Sequence, residues 1–91
     1  MTATKHILLA LVEDKPGVLN RMTSIFRRCG FNIQSVNVLE TIKAESSELP
    51  GLTRIAIVVA GSANILGQLR KRLEKLIDVV EVSDITTRNT V

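Results

Sequence analysis

A chain of 91 residues, 45% hydrophobic and 23% charged, has room for one small packed domain and excludes a second one. Its net charge of +3 is small beside what phosphate neutralisation requires, and its aromatic content is two phenylalanines, so readers of single-stranded nucleic acid are disfavoured. One cysteine and one histidine exclude a disulfide within the chain and a zinc site built from cysteine and histidine.

The two longest apolar runs, at 7–12 and 55–60, have six residues each, whereas a membrane helix needs about 20. The first residues, Met-Thr-Ala-Thr-Lys-His, lack the apolar core of a signal peptide and the arginine- and serine-rich character of a transit peptide. We therefore expect a protein of the reducing cytoplasm with no membrane partner.

The first predicted strand covers about residues 5–13 and stops at a turn sequence, Glu-Asp-Lys-Pro-Gly, at 13–17. Apolar residues then recur with helical spacing and predict a helix over about 16–29. Asp14 is a candidate N-cap for this helix, and Gly30 supplies the left-handed residue that ends it. The apolar helix face is predicted to carry Val18, Leu19, Met22, Ile25, Phe26 and Cys29.

Strands are predicted over about 32–41 and 52–60, with a polar turn between them, and then a helix over about 63–77 whose apolar face includes Leu76 and Ile77. A last strand follows at about 79–86. The order βαββαβ predicts an α+β, ferredoxin-like domain spanning 1–91, in which a four-stranded antiparallel sheet carries both helices on one face. Strands one and three are apolar at successive positions, which predicts burial on both faces and therefore a homodimer.

The sequence offers no catalytic constellation. His6 is the only imidazole and is interpreted as a solvated or edge histidine, and Cys29 as a small core residue. Carboxylate pairs such as Glu81 and Asp84 lie at turns or strand ends and are interpreted as solvated. The basic stretch 70–75 is interpreted as the solvent face of an amphipathic helix.

The turn at 13–17 is the most informative place in the chain. Gly17 lets backbone approach a ligand closely, and the free N–H groups of the first helical turn suit a carboxylate. Asp14 could take an ammonium group, and Asn32 could add hydrogen bonds from a neighbouring strand or subunit. Together these groups describe an amino-acid site. The spacing equally fits a structural interpretation, in which Asp14 caps the helix and Gly17 serves the turn.

Residues 13–19 resemble the start of ACT domains, which are small amino-acid-sensing modules with this fold. A longer pattern, PGVLNR at 16–21, FRRCGFNI at 26–33, TRI at 53–55 and QLRKRLEKLIDV at 68–79, resembles the small regulatory subunit of acetolactate synthase, also called acetohydroxyacid synthase. This resemblance covers about nine tenths of the chain.

The resemblance implies a noncatalytic subunit that binds a branched-chain amino acid, usually valine, and both activates and feedback-inhibits a separate catalytic large subunit. Thiamine diphosphate, magnesium and FAD would belong to that partner, and this chain would hold no cofactor and bind no nucleic acid. The effector would lie between two ACT domains. The positions that match the effector site are Asp14, Gly17, Val18, Leu19, Asn20, Asn32 and Ile33.

The chain departs from the family pattern in three ways. Asp14 stands where many members have asparagine, which places a negative charge near the ligand. The segment 44–51 makes the hairpin between strands two and three longer than usual, and many members continue into a second domain.

Three alternatives remain open from the residues. One is a free-standing ACT module that senses another amino acid. A ferredoxin-like RNA-binding protein is disfavoured because Leu9 and Ile57 stand on middle strands where aromatic residues are expected. An acylphosphatase-like hydrolase is disfavoured because the only cation of the loop is Lys15, where that family uses arginine.

Overall fold

The computed structural model describes residues 4–44 and 50–86. The order βαββαβ is confirmed, with a short 3₁₀ turn, Ala63–Ile65, before the second helix. The strands are β1 (Thr4–Glu13), β2 (Asn32–Ile42), β3 (Leu52–Gly61) and β4 (Val79–Asp84), and the helices are α1 (Val18–Arg28) and α2 (Leu66–Glu74). Every neighbouring pair in the sheet, whose order is β2-β3-β1-β4, is antiparallel. The ferredoxin-like α+β prediction is therefore correct.

The core lies between the sheet and the helices. Strand residues two apart point to the same face, so Leu8, Ala10 and Val12 of β1 enter the core together. Directly paired residues share a face, and Leu8 pairs with Ile57 while Ala10 pairs with Ile55. The helices contribute residues at helical spacing, which are Val18, Met22 and Phe26 from α1 and Leu69 and Leu73 from α2.

Both ends of α1 are governed by glycine. Gly17 has a φ of 86° and stands at the N-cap, where no side chain caps the helix. The prediction that Asp14 is the cap is therefore wrong, because the left-handed residue starts the helix three positions later. At the other end Gly30 has a φ of 79°, as predicted. The Phe31 N–H donates to the carbonyl of Phe26, which with the Gly30 bond to Arg27 forms a Schellman ending.

The second helix ends earlier than predicted. It stops at Glu74, and the chain turns over 75–78, with the Leu76 N–H donating to Leu73 and the Val79 N–H to Leu76. Ile77 is 91% exposed, so its assignment to the apolar helix face is wrong. In this turn the next residue, Asp78, is the one that is buried. Strand β4 is also shorter than predicted and ends at Asp84.

His6 is buried, which contradicts its interpretation as a solvated or edge histidine. It lies two residues before Leu8 and therefore shares the helix-facing side of β1. Its ring meets the Phe31 ring edge to face at 6.0 Å between centroids, and its Nε2 lies 2.8 Å from the Thr4 hydroxyl. Cys29 packs against the core, as predicted.

The outer face of the sheet carries an apolar strip on its two middle strands. No element of the described ranges covers this strip, whose residues are half-buried: Ile7, Leu9, Leu11, Ala56, Val58 and Ala60. The edge strand β2 also exposes Leu39 and, on the helix-facing side where it pairs with Ile55, Val38. Burial of both faces is thus incomplete in one chain, and the homodimer stays a prediction.

Residues 45–49 of the long hairpin and residues 87–91 lie outside the described part of the chain. Across 4–44 and 50–86, no helix combines the length and the apolarity needed to cross a membrane.

Candidate functional site

A cavity of about 280 Å³ opens where β1 ends and α1 begins. Its base is apolar, because Val12, Val18 and Ile55 line it and are almost fully buried. Val38, which is 62% exposed, lines it from β2. The remaining lining residues are the apolar Leu19 of α1 and the polar or loop positions Glu13, Asp14, Lys15, Gly17, Asn20 and Thr53. Five of the seven predicted site residues therefore meet at one cavity.

Two glycines allow the β1–α1 loop, residues 14–17, to lie where it does. Gly17 adopts its left-handed conformation close to Arg21, whose Nη1 would be 3.0 Å from a Cβ added to the glycine. Gly51 approaches the opposite strand so closely that an added Cβ would lie 2.7 Å from the carbonyl oxygen of Ile42. The carbonyl of Gly51 accepts the Asp14 N–H at 2.8 Å, which fixes the loop against the start of β3.

The first turn of α1 presents backbone donors to the cavity. The first N–H groups of a helix lack acceptors within the helix. In α1 the Val18 N–H reaches the Lys15 carbonyl at 3.5 Å, and the Arg21 N–H reaches that of Gly17 at 3.0 Å. The N–H groups of Leu19 and Asn20 have no acceptor among the described residues. With no acidic residue in this turn, the positive end of the helix dipole is available to a carboxylate.

Asp14 lies at the rim of the cavity and is exposed. Within the described residues its carboxylate has neither an ion pair nor a side-chain hydrogen bond. A carboxylate in this state can receive an ammonium group without first losing another partner. The Asp14 side chain thus does not cap α1, which is the role that the structural interpretation gave it.

Asp78, which no sequence motif singled out, contacts three residues at the edge of the cavity region. It lies in the α2–β4 turn, its side chain is 5% exposed, and it pairs with Arg21 and, at 3.4 Å, with Nζ of Lys15. Its backbone carbonyl also accepts the Glu13 N–H at 2.8 Å. The available signal was a carboxylate inside an apolar run, since a buried charge needs a cationic partner.

The electrostatics of this cluster favour its charged forms. Burial raises the pKa of Asp78, but hydrogen bonds and positive charge from Arg21 and Lys15 outweigh burial and bring this pKa below its usual 3.8. Hydrogen bonds to Glu13 and then to Asp78 raise the pKa of Lys15 above its usual 10.5. Asp78 and Lys15 are therefore both ionised at neutral pH.

Asn32 and Ile33 lie away from this cavity. They line a separate depression of about 360 Å³, together with Thr23, Arg27 and Phe31. Asn32 follows the C-terminal end of α1, whereas Gly17 precedes its N-terminal end. The 11 residues of α1 span about 16 Å, so one small ligand cannot contact both places in one chain. In the described residues no three His, Cys, Asp or Glu side chains converge as metal ligands.

The chain has the fold of an ACT domain, the class to which its family match also assigns it. The structure is similar to that of the ACT domain from GTP pyrophosphokinase of Chlorobium tepidum, with a TM-score of 0.64 and 20% identity over 92% of this chain and 100% of that one. At this identity the likeness establishes the fold alone.

Residues 8–81 match the family of acetohydroxyacid synthase (AHAS) small subunit-like ACT domains, and the chain belongs to that family. It is 45% identical over its whole length to a probable acetolactate synthase small subunit of Methanothermobacter thermautotrophicus, of which it covers 51%. It is also similar to the acetolactate synthase small subunit of Thermotoga maritima, with a TM-score of 0.68 and 36% identity over 89% of this chain and 47% of that one. The chain thus spans about half the length of these relatives.

Proposed function

We propose that this chain is a noncatalytic regulatory domain of acetolactate synthase and that it binds a branched-chain amino acid, valine first, in the cavity beside the β1–α1 loop. One observation carries the proposal. Two backbone N–H groups without an acceptor, those of Leu19 and Asn20, lie at the same cavity as a buried apolar base. The amides suit a carboxylate, and exposed Asp14 suits an ammonium group.

The size and lining of the cavity support a small aliphatic ligand. Pockets for drug-sized ligands measure about 300–1,000 Å³, so a cavity of about 280 Å³ suits an amino acid better than a nucleotide. Val12, Val18 and Ile55 offer a branched side chain an apolar surface without any polar partner. A charged or hydroxylated side chain would lose its water there without a replacement hydrogen bond.

The proposed site is completed by a second copy of the chain. Asn32 and Ile33 belong to the site by resemblance but line a different depression. Two chains could bring the loop of one against Asn32 of the other. The exposed apolar residues of β2 and the apolar strip of the sheet favour such a homodimer. Sedimentation at micromolar concentration should give about twice the chain mass of 10.0 kDa, and a clean monomer would contradict the dimer.

The proposed partner is a catalytic large subunit that carries thiamine diphosphate, magnesium and FAD. The relatives are named small subunits, which supports a role beside a larger one. We expect the purified chain to form no acetolactate by itself, to stimulate a supplied large subunit, and to do so less when valine is present. Product formation by the chain alone would contradict this assignment.

Calorimetric titration tests the effector directly. Valine, leucine and isoleucine should each be titrated into the chain, with lysine and glutamate as controls of the same backbone chemistry. Valine should bind most tightly, and the two charged amino acids should not bind. If none of the three branched amino acids binds but another amino acid does, the chain is instead a free-standing ACT module for a different effector.

A further inference from the structure

One buried carboxylate, that of Asp78, connects the β1–α1 loop to the α2–β4 turn. Asp78 contacts the chain on both sides of this loop: its carbonyl accepts the Glu13 N–H, and its carboxylate pairs with Lys15 and Arg21. Arg21 in turn lies against Gly17. One residue of the α2–β4 turn therefore touches the start, the middle and the end of the segment that surrounds the cavity.

Asp78 itself does not line the cavity. Its contacts Glu13 and Lys15 do, and Arg21 approaches Gly17 within the distance at which an added Cβ would displace it. Any effect of Asp78 on a ligand must therefore pass through the position of these neighbours.

The two cations differ from the acid in exposure. The side chains of Lys15 and Arg21 are each 47% exposed, whereas that of Asp78 is 5% exposed. Without the carboxylate, Arg21 would turn to water and Lys15 would keep only its ion pair with Glu13 at 3.3 Å, so the loop would lose its side-chain connection to the α2–β4 turn. The backbone bond from Glu13 would remain, so the fold itself does not depend on the carboxylate alone.

We propose that Asp78 is a positioning residue, which holds the β1–α1 loop in its ligand-binding conformation and couples occupancy of the cavity to the α2–β4 turn. The effector half of this statement rests on the proposed function. Ile77, the residue before Asp78, is exposed on the same turn. A shift of the loop that moves Asp78 would therefore also move a surface residue. By reciprocity, whatever holds this turn must favour the ligand-binding loop to the same extent.

The test compares Asp78→Asn and Arg21→Gln with Arg21→Lys and with Arg28→Gln. Arg28→Gln removes the same charge from α1 at an exposed residue that has no ion pair among the described residues. In ligand-free protein, amide exchange at Asp14 and Lys15 should be at least tenfold faster in the first two variants. Amides of the central strand pair β1–β3 should be unchanged, which distinguishes positioning from general destabilisation. Valine should bind the same two variants at least tenfold more weakly, whereas Arg21→Lys and Arg28→Gln should stay within about threefold of wild type.

Several results would overturn the proposal. One is loop exchange in Asp78→Asn and Arg21→Gln that matches Arg28→Gln. Another is faster exchange with unchanged valine affinity, because Asp78 would then be structural only. If Asp78→Asn fails to fold, Arg21→Gln decides the question, since it breaks the same pair from the exposed side. Absence of valine binding to wild type would count against the proposed function, and the ligand-free exchange rates would still judge the loop contact.

Discussion

Substitutions at Gly17 can separate the effect of backbone conformation on stability from the effect of added charge on ligand binding. Its φ of 86° costs an L-residue about 1–2 kcal/mol. The nearest atom to an added Cβ is the tip of Arg21, a flexible side chain that can shift at low cost. Gly17→Ala should therefore lower the free energy of unfolding by about 1–2 kcal/mol, and each kcal/mol lowers Tm by about 4–8 °C in a domain of this size.

Gly30→Ala is a matched control. Gly30 has a φ of 79°, and an added Cβ meets nothing within 4 Å. It stands beyond the other end of α1, so it shares the backbone cost of Gly17→Ala without touching the loop cavity. The two alanine variants should lose similar stability in thermal melts, and only Gly17→Ala should weaken valine binding.

Gly17→Asp adds a charge to the same position. A like charge at about 4 Å from the carboxylate of the ligand costs from about 1 kcal/mol in water to about 4 kcal/mol at an effective dielectric of 20. Valine affinity should therefore fall by a factor of between about five and several hundred, and toward the lower end because Arg21 lies close enough to neutralise part of the new charge. Dimer formation should survive.

The assay is calorimetric titration of valine into wild type and the three variants, with thermal melts of the same samples. If Gly17→Asp binds valine as well as Gly30→Ala does, the carboxylate of the ligand does not lie at the first turn of α1, and the reasoning about this cavity is refuted. If both alanine variants melt like wild type, an alanine in the left-handed conformation costs less than about 1–2 kcal/mol.

Three further predictions follow from packing and charge. Gly61→Ala should cost at least about 1–3 kcal/mol in chemical denaturation, because its Cβ would overlap the Phe31 ring, and Phe31→Leu should restore part of the loss. Ile77→Ser should change stability by less than about 0.5 kcal/mol because Ile77 is 91% exposed, and a large loss would place it in the core after all. The contribution of the Asp78–Lys15 ion pair to the free energy of unfolding should not change across neutral pH. Since the pKa of Asp78 is lowered, its contribution is present above the usual 3.8 and is lost as pH falls below that value; since the pKa of Lys15 is raised, its contribution is present below 10.5 and is lost above it. The free energy of unfolding should be measured by denaturation from pH 2 to pH 7, and it should fall less at acid pH in Asp78→Asn than in wild type. The same fall in both proteins would contradict the ion pairs.

Local patterns were sufficient for the order of the elements. The continuous apolar runs of β1 and β3 and the helical spacing of Val18, Met22 and Phe26 are local signals of a buried strand and of a core-facing helix. Gly30 was predicted to end α1 because a left-handed residue there is a local backbone requirement. The loop cavity was also predictable, since most of its polar residues are consecutive in the chain.

Local patterns failed where a distant group decides the outcome. The helical spacing continues through Leu76 and Ile77, but the backbone leaves the helix at Glu74. His6 was interpreted as a solvated or edge residue, but it lies on the helix-facing side of β1, and Phe31, 25 residues away in the chain, packs against it.

The sequence by itself determined the elements, their order and the turn that surrounds the cavity, because each of these depends on residues that are neighbours in the chain. Only the tertiary structure decided that Asp78 lies beneath that turn, since its partners Lys15 and Arg21 are 63 and 57 residues away in the chain. It also decided that Asn32 lines a depression separate from the cavity beside Gly17. Such contacts depend on how β4 and β2 are placed in the sheet, and no periodicity within one segment contains that information.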